Sequence, residues 1–109
     1  MNLDKEDCIE SITKVLQSTA NWRRSLSNRF PEDLRNIRAA ILLEKLAVDI
    51  AYMTDEQWLE LKPHFGGWAS EDWRNGLSLA SRQVGFHNRA KHISFFIKAL
   101  AENLSSVAA

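Results

Sequence analysis

The sequence predicts an all-α fold, a compact bundle of four to five helices that begins with a long N-terminal helical hairpin. Three observations carry that prediction. Apolar residues recur at intervals of three and four nearly everywhere, only four glycines and two prolines punctuate 109 residues, and no segment shows the alternation of a half-buried strand. A chain of this length buries roughly two-thirds of the surface its unfolded form exposes, enough for one core without disulfide or metal. Residues 1–109 read as one helical domain, with residues 105–109 as a frayed tail.

The first helix is set by Cys8, Ile12, Val15, Thr19, Trp22 and Leu26, whose alternating steps of four and three keep one face aligned, with Ile9 and Leu16 widening it. Asp4 suits its N-cap, and the helix cannot easily pass Phe30, because a residue before proline is pushed out of the α region. A break at Asn21 would give two shorter helices instead. Pro31 fits the first position of a second helix, with Glu32 and Asp33 facing the positive end of its dipole. That helix runs to about Tyr52 and reads as the central one. Leu34, Ile37, Ala40, Ile41, Leu43, Leu46, Ala47 and Ile50 cover most of its circumference, and Arg35, Arg38, Lys45 and Asp49 form a narrow polar stripe.

Thr54 and Gln57 form a capping box for a short third helix with Trp58 and Leu61 inward, stopped by Pro63. Gly66 and Gly67 mark a loop. Ser70 caps a fourth helix carrying Trp73, Leu77, Ala80 and Val84 on one face, and Gly85-Phe86 suits its C-terminal stop. Asn88 caps a last helix with Ile93, Phe96, Ile97, Leu100 and Leu104 inward.

Lysine plus arginine balance aspartate plus glutamate at 14 each, so no global field draws the chain to nucleic acid or membrane. The balance holds for the whole chain and not locally: residues 21–38 hold five arginines against Glu32 and Asp33, whereas 39–73 is acidic and 74–109 basic. Cys8 is the single cysteine, no segment reaches 18 consecutive apolar residues, and the N-terminus lacks a signal-peptide pattern. These features predict a soluble, cytoplasmic protein.

Catalytic chemistry has no signature. Cys8 lies on an apolar stripe, where cysteine behaves as a small hydrophobe, and no G-x-S-x-G, phosphate-cradling loop or H-E-x-x-H occurs. His87 and His92 are five apart, off the same-face spacing of a zinc pair, and His64 is remote. The expectation is therefore no enzyme, no metal and no cofactor.

What remains are surfaces. Arg23, Arg24 and Arg29 fall near the end of the first helix, where cations complement its dipole. Arg35 and Arg38 gain nothing near an N-terminus, which marks them, with Arg24, as candidates for docking an acidic protein partner. Trp68, after the glycine pair, is a further docking candidate, whereas Trp22, Trp58 and Trp73 are expected in the core. The sequence thus suggests a small non-enzymatic interaction or regulatory module acting through helix faces. The heptad recurrences Cys8, Val15, Trp22 and Ile12, Thr19, Leu26 also suit burial against a second copy, as a homodimer.

The segment SRQVGFHNRAKHISFFIK, residues 81–98, carries an alternative. Val84, Gly85, Phe86 and Phe96 resemble the second helix-turn-helix of AraC-type regulators, in which a Val-Gly-Phe turn precedes a recognition helix. The resemblance covers about a sixth of the chain, with His92 in place of an aromatic core residue and Ser81 in place of alanine. It implies a small DNA-binding regulator using the basic C-terminal helix, residues 86–104, with Asn88, Arg89 and Lys91 facing bases and phosphates.

Overall fold

A computed structural model describes residues 3–65, 70–84 and 92–108 and forms an all-α bundle of five helices. The first, α1, spans Leu3–Arg29 without interruption at Asn21. No glycine or proline breaks it, and Thr19, half-buried, donates its hydroxyl to the Val15 carbonyl (2.8 Å). Phe30 N–H still reaches the Leu26 carbonyl (2.8 Å), and Pro31 then ends the run.

The second helix, α2, spans Leu34–Asp49 and starts three residues later than Pro31 suggests. Asp33 is the reason. Its carboxylate accepts from the Arg35 N–H (3.1 Å), a cap that satisfies an otherwise orphaned donor and that proline cannot supply. A 3-10 turn, Ile50–Tyr52, closes the element. The third helix, α3 (Asp55–Leu61), opens on the expected capping box: Thr54 Oγ1 accepts from Gln57 N–H (3.1 Å) and Gln57 Oε1 accepts from Thr54 N–H (2.9 Å). Lys5 bridges to Asp55 (2.9 Å), tying the start of α1 to this cap.

The fourth helix, α4, spans Glu71–Gln83 behind its Ser70 cap, and α5 spans Ile93–Ala108. This α5 begins at Ile93: His92 is outside it, and its carbonyl accepts the first bond, from Phe96 N–H (3.1 Å), while the expected cap Asn88 lies outside the described residues. Val84, Phe96, Ile97, Leu100 and Leu104 are all buried. The α4–α5 approach depends on Gly76, where a Cβ would lie 2.7 Å from Leu104 Cδ2.

The core draws Cys8, Ile12, Leu16 and Ala20 from α1, Leu43, Leu46 and Ile50 from α2 and its turn, and Trp73, Leu77 and Ala80 from α4. Each fully buried leucine or isoleucine among them contributes roughly 1.5–3 kcal/mol relative to exposure. Trp73 satisfies its indole N–H on the Ser11 hydroxyl (2.9 Å), and Phe65 packs edge-on between Trp58 and Trp73. Because α1 packs against both α2 and α4, α1 rather than α2 occupies the middle of the bundle.

Candidate functional site

The position of α2 at one side of α1 leaves half of its circumference outward. Ala39, Ala40, Leu43, Leu46 and Ala47 face α1 and the core, with Asn36 as a buried polar member. At about 100° per residue, Leu34, Ile41 and Val48 fall within roughly 40° of one another on the opposite side. They are 53%, 56% and 66% exposed, and Tyr52 beyond them is 79% exposed. Ile37, half-buried, borders the same row. The expectation of α2 as a central helix, covered around most of its circumference, is therefore corrected: α2 is apolar on two faces, and its neighbours cover one.

The row follows a heptad, Leu34, Ile41, Val48, with Ile37, Glu44 and Ala51 at the intervening positions. It runs about 27 Å from Leu34 to Tyr52 at 1.5 Å per residue. Beside it lies a shallow groove of about 390 Å³, lined by Gln17, Ala20 and Asn21 of α1 and by Glu44, Ala47 and Val48 of α2.

Charged residues border the row on both sides. Arg24, from α1, chelates Glu44 through Nε (3.1 and 3.3 Å) and Nη2, which holds the guanidinium more firmly protonated. Arg35 folds back on its own cap, with Nε 2.9 Å from Asp33 Oδ1 and Nη2 2.8 Å from Oδ2. Those hydrogen bonds lower the Asp33 carboxyl to about 2 and raise Arg35 in turn. Arg38 and Lys45, both exposed, make no ion pair with a described residue. They lie along one flank of the row, with half-buried Asp49 as the acid on that side.

The arginines of residues 21–38 thus separate into different roles. Arg23 is buried, donating Nη1 to Asn36 Oδ1 (3.1 Å) and Nη2 to the Arg82 carbonyl (3.1 Å), so it joins α1, α2 and the end of α4. Burial lowers its pKa, as does the neighbouring Arg35 charge, while Asp33 opposes them. Arg29 lies over the Phe30 ring at 5.7 Å.

Trp22 departs from the expected core position. It is 47% exposed, with the Arg23 guanidinium 4.9 Å from its ring centre. A straight α-helix drifts about 20° per heptad, so a row aligned at Cys8 has rotated to the edge two heptads later. Cys8 and Ile12, the start of the heptad face suggested for a homodimer, are buried within their own chain.

Trp68, Asn88, Arg89 and Lys91 lie outside the described residues. Asn88, Arg89 and Lys91 precede α5 in sequence. Among the described residues no group of three His, Cys, Asp or Glu side chains is arranged to hold a metal ion, and no helix is long and apolar enough to cross a membrane.

The outward row of α2 is the feature that reading the sequence missed. Its signal was present: ten apolar residues on one sixteen-residue helix are more than one buried side requires, and the positions 34, 41 and 48 share a heptad phase. Comparison with protein-family models, with curated proteins and with solved structures finds no match to the chain.

Proposed function

We propose that the chain is a non-enzymatic protein-interaction module whose working surface is the outward face of α2. One observation carries this reading: a row of large apolar side chains, Leu34, Ile41 and Val48, stands exposed on a helix whose opposite face already supplies the core, and Tyr52 is exposed on the turn that follows it. Scattered exposed leucines are ordinary on protein surfaces, whereas a contiguous row bordered by charge marks an interaction site. Arg38 and Arg24 belong to the border of that surface, and Arg35 to the helix cap at its end.

Position-specific photocrosslinking in native extract tests the reading. A crosslinking residue at Ile41 or Val48 should yield a discrete adduct, and one at exposed Arg74 on α4 should not. Absence of adducts at α2, or the same adducts from all three positions, would refute it.

A further inference from the structure

From the chemistry of the same surface we infer that its occupant is an amphipathic α-helix carrying acidic residues along one edge. The inference rests on the interaction-module reading and adds the partner's secondary structure and charge.

The helical form follows from the surface. All the backbone groups of the α2 interior are bonded within the helix, so no sheet edge is offered for an added strand. A partner must satisfy its own backbone, and an apolar row at heptad spacing receives the side chains of a second helix between its own. The row is about 27 Å long and lies on one face of one helix, a length that a single partner helix matches. A globular partner needs roughly 800 Å² per side.

The acidic edge follows from the charges. Arg24 and Glu44 neutralise each other, as do Arg35 and Asp33. That leaves Arg38 and Lys45 against Asp49 on the flank of the row, a net positive edge about two turns long. A second copy of the chain fits less well. In an antiparallel pair related by a two-fold axis through Ile41, Arg38 and Lys45 share one side with their own copies, and like charges meet. In a parallel pair the same cations meet Glu44, which Arg24 already holds.

Two synthetic three-heptad peptides, each with leucine at the a and d positions, test this on the intact chain. One carries glutamate at the e and g positions and the other lysine. Fluorescence anisotropy near 0.1 M salt should show the glutamate peptide binding roughly 2- to 20-fold more tightly, the range expected from two exposed charge pairs. The double variant Arg38→Glu/Lys45→Glu should invert that preference. Ile41→Ser/Val48→Ser should lose binding of either peptide while keeping the wild-type circular dichroism; Ile41→Ala/Val48→Ala serves the same purpose should the serine pair unfold.

Equal binding of both peptides would overturn the acidic partner and leave the module reading standing. Binding of neither peptide, or binding indifferent to Ile41 and Val48, would overturn the helical partner, with the crosslinking result deciding the module separately. A concentration-dependent dimer in light scattering that the Ile41/Val48 variants abolish would assign the surface to a second copy instead, and would also overturn the proposal.

Discussion

Arg23 and Arg38 are chemically identical and lie on adjacent helices, yet burial gives them opposite duties. Arg23 holds Asn36 and the Arg82 carbonyl at 3.1 Å each, and an alanine there would leave a buried and a part-buried acceptor without this donor. Arg23→Ala should cost about 2–4 kcal/mol in urea unfolding, the range for stripping a charged hydrogen-bonding group from a protected site. Arg38→Gln should leave the same unfolding midpoint unchanged, since an exposed cation without a described ion-pair partner has little to lose. A large loss at Arg38 would show that its charge belongs to the fold and not to the docking face. Cys8 illustrates burial acting on an acid. Its thiol is inaccessible, and desolvation pushes its pKa up to about 12. Because the folded pKa is raised, the associated stability is complete below the unfolded value, near 8.5, and is lost as pH rises towards 12. Cys8 should resist thiol reagents in the folded chain at neutral pH, and Cys8→Ala should reduce the alkaline fall in melting temperature. Rapid labelling under native conditions would refute this account.

The helical elements were largely legible as sequence because local chemistry specifies them. Thr54-x-x-Gln57 is a reciprocal cap that needs no tertiary help, and Ser70 caps α4 where its side chain accepts from Trp73 N–H. The start of α2 was less legible, because two local rules compete there. Proline favours the first helical position, but only Asp33 can accept the orphaned Arg35 N–H, and the bidentate Arg35 contact then fastens that cap. The same contact makes a measurable claim. Asp33 titrates at about 2 because Arg35 hydrogen-bonds its ionised form, so its contribution to stability is present above the unfolded value near 3.9 and is lost as pH falls through about 2. In Arg35→Gln the Asp33 carboxyl should move up towards 3.9 by NMR titration, and the acid limb of the stability curve should shift to higher pH. An unchanged titration would mean that the helix N-terminus alone holds the carboxylate. What local chemistry could not reveal was exposure. Trp22 shares the heptad phase of Cys8 but not its environment, and Leu34, Ile41 and Val48 look like core residues until the position of α1 is known.

At the scale of the molecule, the question is whether the outward row of α2 serves the fold at all. A helix at one side of a bundle is amphipathic in the ordinary case, apolar inward and polar outward. Here the inward face is complete without the row: Leu43, Leu46 and Ile50 are almost fully buried, and the closely approaching α1 surface is matched by Ala39, Ala40 and Ala47. The two faces should therefore respond differently to substitution. Leu43→Ala removes a core side chain and should destabilise by about 2–5 kcal/mol. Ile41→Gln and Val48→Gln, two and five residues away on the same helix, should leave the unfolding midpoint within about 0.5 kcal/mol of wild type, as surface changes do. They should also raise solubility, since each removes apolar area from contact with water. If both glutamine variants destabilise as Leu43→Ala does, the row is packing against part of its own chain and is not free to receive a partner. If they are neutral in stability and abolish adducts at α2, the apolar row contributes to binding and not to folding. That separation is what a docking surface requires of a chain this short, whose core leaves few residues to spare.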